Sequence, residues 1–304
     1  MRKTCVYCGK HLTNDSKSFE HVIPRWLLKR LNAKKHSLPS RTVWADRRVT
    51  GTRHPNADTL GRKICKACNN EWLGQIDSSC MDAINELANQ GAAYPGDVDS
   101  QWAEQYEKVP VFLYKIALNY LTTTPFAPKL TCYFEDFYET KKPRCNSIFF
   151  ISRVNFPSKL TINHSGNVIF DEIYDPAELS SLPKDITTNC ELSLLEKYSK
   201  AAENVGAQQP VPFKIFLQLG HAAFVIVNRG SFSGPIIYDK HLFTPMFSYS
   251  DTCAIASTVP IALEAPPQPC ADTISARVLN SLQLSFKQNE FLLKGVQTMN
   301  LGTG

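Results

Sequence analysis

Four cysteines fall in two Cys-x-x-Cys pairs, Cys5/Cys8 and Cys65/Cys68. Paired thiols at that spacing suit zinc. Four thiolates at about 2.3 Å complete a tetrahedron, so such a site is structural and leaves no open position for water. The metal would tie together the base of the 56 residues between Cys8 and Cys65, and a tie of that length removes unfolded-state entropy from a core-poor segment. Between the pairs lies Glu20-His21-Val22-Ile23-Pro24. A neutral imidazole near pH 7 can take a proton from water. A neighbouring carboxylate can hold a hard cation that neutralises charge building on a phosphate. Adjacent side chains of a strand face opposite ways, so Glu20 and His21 need a bend to meet one phosphate. Asn69 directly follows the second pair. Its amide oxygen can be a neutral ligand to the same cation, can cap a helix, or can do both.

These three blocks, Cys5-x-x-Cys8, Glu20-His21-Val22-Ile23-Pro24 and Cys65-x-x-Cys68-Asn69-Asn70-x-Trp72, resemble the HNH, or His-metal-finger (ββα-metal), endonuclease family. The resemblance covers about residues 3–77. It implies two strands and a helix around one catalytic divalent ion, with Mg²⁺, Mn²⁺ or Ni²⁺ as the expected metal. It also implies His21 as general base on water, Glu20 and Asn69 as ligands of that ion, and Cys5, Cys8, Cys65 and Cys68 as a structural zinc site. The implied activity is hydrolysis of phosphodiester bonds in DNA, with RNA as the other substrate to weigh. The family's middle Asn has no clear counterpart: Asp58, Thr59 and Leu60 occupy its region and Asn56 is the nearest Asn. A non-catalytic, zinc-containing nucleic-acid-binding module is the competing expectation.

The net charge of +5 conceals an asymmetry: residues 1–77 hold 16 Lys/Arg and 6 Asp/Glu, and the other 227 hold 17 and 22. A basic quarter on a mildly acidic remainder points to a polyanionic partner. Residues 32–63 read as basic and irregular, with Pro39, Gly51, Pro55 and Gly61 as breakers. Arg25, Lys29, Arg47, Arg48, Arg62 and Lys63 are the expected phosphate contacts, which supply affinity but little sequence choice. Trp26 and Trp44 lie among them as stacking or core residues.

Stepping outward, Trp26, Leu27, Leu28 and Leu31 suggest a short amphipathic helix, and a further helix is expected from Asn69 or Asn70 through Leu87. Residues 91–101 read as a linker, dividing a module at 1–90 from a region at 105–304. The latter reads as helix over Val111–Leu121, strands at 130–135, 147–154, 212–218 and 222–228, and a helix over 272–293. The fold class is α+β: a small zinc-stapled ββα-metal module followed by a larger mixed α+β domain. Target recognition, dimerisation and sensing of a ligand or partner are the roles expected of that second domain, and phage defence or a mobile element the expected context. His164, His221, His241 and Asp171-Glu172 read as structural. Cys80, Cys132, Cys145, Cys190, Cys253 and Cys270 read as small buried residues. No apolar run of about 18 residues exists, so no membrane span is expected. The first Cys pair stands so near Met1 that no leader peptide is expected either, and paired zinc-type cysteines point to a reducing, cytoplasmic setting.

Overall fold

The computed structural model describes residues 4–34, 38–43, 49–54, 60–61, 63–90, 100–123, 130–165, 213–228, 230, 236–239, 244–248, 283–284 and 296–299. A knuckle comes first. Thr4 bridges His11 across a turn closed by Cys5 N–H to Lys10 O (2.8 Å) and Gly9 N–H to Cys5 O (3.0 Å). Gly9 takes φ +70°, a left-handed conformation that suits a residue without Cβ. Strand β1 (Glu20–His21) pairs antiparallel with β4 (Leu60–Gly61), Glu20 opposite Gly61 and His21 opposite Leu60. The same two chain segments stay together further down. Lys17 bridges Cys65, and the Ser18 N–H reaches Ile64 O at 3.0 Å.

Helix α1 (Arg25–Arg30) follows Pro24, which stands at its N-cap, and buries Leu27 and Leu28. Strands β2 (Leu38–Val43) and β3 (Val49–His54) form an antiparallel hairpin. Within the stretch expected to be irregular, most of the described residues are therefore strand, with Pro39 inside β2 and Gly51 inside β3. The reason is tertiary: residues 40–43 of β2 run parallel beside residues 162–165, and a neighbouring strand supplies the hydrogen bonds that local sequence could not.

Beyond the second Cys pair the chain winds through α2 (Lys66–Cys68), a π-helical turn (Asn69–Leu73) and α3 (Gly74–Ser78). Helix α4 (Met81–Gln90) buries the stripe Ala83, Ile84, Leu87 and Ala88. Helix α5 (Ser100–Leu121) buries Phe112, Ile116, Ala117 and Tyr120 as the spacing predicts, and carries Pro110 inside it. Helix α6 (Thr131–Thr140) stands where residues 130–135 suggest a strand. Its apolar side chains Tyr133, Phe134 and Phe137 are all buried. Positions i, i+1 and i+4 share one face of a helix, and the aromatic cluster around Tyr7 and Trp72 rewards that face.

Strand β5 (Ser147–Ser165) runs antiparallel to β6 (Phe213–Asn228), and the five-stranded sheet has the order β3-β2-β5-β6, with β8 (Thr244–Ser248) also on β5. The two strands expected at 212–218 and 222–228 are one strand, bent at Gly220. It is buried along nearly its whole length, which explains its continuous apolar run. Helices α4 and α5 pack on it, so closely that a Cβ on Gly220 would lie 2.3 Å from the Ala88 carbonyl oxygen. A second sheet has the order β10-β7-β9, from β7 (Ile236–Asp239), β9 (Gln283–Leu284) and β10 (Val296–Met299). Residues 283–284 are thus strand, inside the stretch expected to be a C-terminal helix; the rest of that stretch lies outside the described residues.

One buried core runs from Cys5 to Phe247. Residues 91–99 of the expected linker lie outside the described residues and 100–101 open α5; buried residues of both α4 and α5 belong to this core. No helix among the described residues is long and apolar enough to cross a membrane. Cys80 is buried as read, whereas Cys132 is only half-buried and Cys145 is disulfide-bonded. Cys190, Cys253 and Cys270 lie outside the described residues, as do His241 and Asp171-Glu172. His164 stands in β5 and His221 in β6.

Candidate metal centre and the buried polar network behind it

The knuckle turn and the N-terminus of α2 bring four sulfurs together. The Sγ atoms of Cys5, Cys8, Cys65 and Cys68 all lie within 4.8 Å of one another. Cys5 Sγ stands 3.9 Å from Cys68 Sγ, and Cys8 Sγ 3.6 Å from Cys65 Sγ. A tetrahedron with metal–sulfur bonds of about 2.3 Å has edges of about 3.8 Å, so the set fits zinc. Backbone donors support the sulfurs: the Cys65 N–H points to Cys5 Sγ and the Cys68 N–H to Cys65 Sγ, each at 3.4 Å. Val6 N–H to Lys63 O (2.9 Å) locks the knuckle to the segment entering Cys65.

The protonation chemistry calls for a cation. In the hydrogen-bonded Cys5–Cys68 pair, the shared contact favours a thiolate on Cys5 and holds the Cys68 thiol protonated, with burial adding to the latter. Burial also raises Cys8. Burial and the thiol contacts hold protons on Cys8 and Cys68, and a divalent ion at the centre of the four sulfurs favours their release. Lys141 stands beside the cluster, its ammonium 4.1 Å from the Trp72 ring centre and 4.0 Å from that of Tyr138. Burial lowers its pKa, while Cys68 and Cys8 act to keep it charged. It is a cation placed to offset thiolate charge.

Tyr7, inside the first Cys pair, is fully buried and plugs the knuckle into the helices. Its ring meets Trp72 edge-on at 5.3 Å and Phe134 at 5.5 Å, and its hydroxyl donates to Asn119 Oδ1 at 2.7 Å. Asn119 Nδ2 in turn donates to Glu20 Oε1 at 3.2 Å. Lys115, with no exposed side-chain surface, pairs with the same Glu20 oxygen at 2.9 Å and with Asp77 Oδ1 at 2.7 Å, and donates to the Leu73 carbonyl at 3.2 Å. Burial pushes the Asp77 carboxyl up to about 6, against the pull of Lys115, and the Glu20 charge adds to the rise.

The expected site residues are therefore distributed as follows. The four cysteines converge. Glu20 turns inward to Lys115 and Asn119, while His21, its neighbour in β1, is half-exposed and accepts a hydrogen bond at Nε2 from Arg25 Nε (3.0 Å). The two face opposite ways, as strand geometry requires. A bend at Val22-Ile23 follows them. Asn69 is half-buried and opens the π-helical turn, its carbonyl receiving the Gly74 N–H. The helix cap expected of Asn69 or Asn70 belongs to Cys65, whose sulfur accepts the Cys68 N–H. Among the described residues no second group of three or more His, Cys, Asp or Glu stands close enough to hold an ion. Arg25, Lys29 and Lys63 are exposed, while Arg47, Arg48, Arg62 and Trp44 lie outside the described residues. Trp26 packs on the core, 5.9 Å from the Phe112 ring centre.

Sequence reasoning missed Lys115, Asn119 and Asp77. A signal existed: Phe112, Lys115, Ile116 and Asn119 share the buried face of α5, and a lysine on such a face demands a buried anion. Comparison of the chain with protein families, with characterised proteins and with solved structures returned no match.

Proposed function

We propose that this protein is a zinc-stapled, metal-dependent nuclease of the HNH type, cutting phosphodiester bonds of DNA. One observation carries the reading. Residues 20–21 pair antiparallel with 60–61 and Lys17 with Cys65, which caps the helix at the second Cys pair, and His21 is half-exposed at the end of β1. Strand, returning strand and helix over a cysteine cluster is the order that the resemblance implies. In this reading His21 takes the proton from the attacking water, and Arg25, which now donates to His21 Nε2, shifts to a phosphate oxygen when substrate arrives. Asn69 and Glu20 are the candidates for a divalent ion such as Mg²⁺. Glu20 Oε1 is committed to Lys115 and Asn119, which leaves Oε2 for that task. Exposed Arg25, Lys29 and Lys63 supply phosphate contacts.

The same network favours a second reading, a non-catalytic nucleic-acid-binding module. A lysine at 2.9 Å already neutralises Glu20, and an arginine already occupies His21. A plasmid-nicking assay with Mg²⁺, Mn²⁺ and Ni²⁺ separates the two. The nuclease reading expects cutting by the zinc-loaded chain and a loss of about 100-fold or more in His21→Ala at unchanged zinc content. Binding without cutting under every metal, or equal cutting by His21→Ala, sinks it.

A further inference from the structure

The segment entering β1 alternates. Ser18, Glu20 and Val22 are buried, while Lys17 and His21 are half-buried and Phe19 between them is exposed. Phe19 keeps 68% of its surface in solvent and is the one exposed large hydrophobic among the described residues. Every other described aromatic ring of this region has an apolar home: Tyr7, Trp26, Trp72 and Phe112 all pack on the core. Phe19 has none, although burying it would be favourable.

Its surroundings are polar and cationic. Successive outward residues of a strand are about 6.6 Å apart, so Phe19 and His21 present neighbouring side chains on one face. Lys17 pairs with Cys65 and Glu20 with Gly61, so the returning segment beside Phe19 includes Lys63, which is exposed. Arg25 and Lys66 are exposed as well. A bare aromatic face among cations matches a polyanion that carries its own flat apolar groups, which is the chemistry of an unpaired nucleic-acid strand. The carboxylates of an acidic protein surface would meet the cations but give the ring no flat partner.

We infer that Phe19 is a stacking platform for one unpaired base of the bound strand, next to His21. The inference rests on the nucleic-acid reading above but not on cleavage. Stacking one base on an aromatic side chain changes affinity by about 5- to 150-fold, and it discriminates strands with bases from strands without them. Phosphate contacts alone do not.

The test measures binding of the full, zinc-loaded chain to a fluorescent oligothymidine and to an abasic strand of equal length and charge. Wild type is expected to prefer oligothymidine by at least about 5-fold, and Phe19→Ala to lose that preference while still binding the abasic strand as wild type does. In Phe19→Trp the preference is expected to survive. The added indole emission, read as the difference from wild type, is expected to be quenched by oligothymidine and not by the abasic strand. Equal binding of the two strands by wild type overturns the inference, as does a Phe19→Ala chain of wild-type zinc content that keeps the preference. A chain that shows the base-dependent quench yet cuts nothing with any metal refutes the nuclease and leaves the platform standing. A chain that cuts, with Phe19→Ala equal to wild type in both preference and cutting, does the reverse.

Discussion

Asp77 makes the stability of this protein depend on pH in an unusual direction. Its carboxyl is pushed from an ordinary 3.8 to about 6, chiefly by burial and against the pull of Lys115, which stands 2.7 Å from Asp77 and 2.9 Å from Glu20. Asp77 binds its proton more tightly folded than unfolded, so the native state carries more protons between about pH 4 and 6. Stability from this group is therefore complete below about pH 4 and is lost as pH rises through 6. The difference of roughly two pKa units corresponds to about 3 kcal/mol in full, of which on the order of 1 kcal/mol is lost between pH 5 and 7. Asp77→Asn removes the titration and keeps an oxygen for Lys115 to donate to. Denaturant unfolding of both chains across pH 5–7, with zinc present throughout, reads the effect as the difference between them. Zinc loss at low pH acts on both and cancels. The variant is expected to gain on the order of 1 kcal/mol on wild type over that range. A pH-independent difference, or a gain by wild type as pH rises, refutes the account of the Lys115 network.

Other consequences concern the staple and the packing. Cys68→Ser is expected to abolish stoichiometric zinc in metal analysis and to unfold the knuckle, since structural zinc contributes folding free energy directly. Lys115→Met strands Glu20 and Asp77 in the interior and is expected to cost about 3–5 kcal/mol in chemical denaturation; adding Glu20→Gln should recover part of that loss. Gly220→Ala places a Cβ 2.3 Å from Ala88 O at φ +57°. The left-handed backbone alone costs about 1–2 kcal/mol, so a lowered thermal midpoint larger than that strain explains is expected.

Periodicity was readable wherever local and tertiary demands agree. Helix α5 has its apolar stripe at the expected positions, and β6 is the buried run that its composition announces. The misreadings share a cause. Residues 130–135 alternate well enough for a strand, but the aromatic cluster around Tyr7 and Trp72 accepts the helical face of Tyr133, Phe134 and Phe137. Residues 38–54 hold Pro and Gly that discourage strands, but pairing with β5 supplies partners from more than a hundred residues away. Asn69 looked like a cap because the type fits; the cap is a cysteine, whose sulfur the staple had already placed.

Two Cys-x-x-Cys pairs suffice, by spacing alone, to announce a four-sulfur metal site, because a tetrahedral ion needs only ligand type and reach. A strand's two-residue period likewise forces Glu20 and His21 onto opposite faces. What no linear reading contains is the partner each face meets. Lys115 lies 95 positions from Glu20 in the chain, and only the packing of α5 against β1 and α3 decides that the carboxylate meets a buried ammonium, while Phe19 and His21 are left toward solvent. Buried charge is a matter of which surfaces exclude water together, and that is settled in three dimensions.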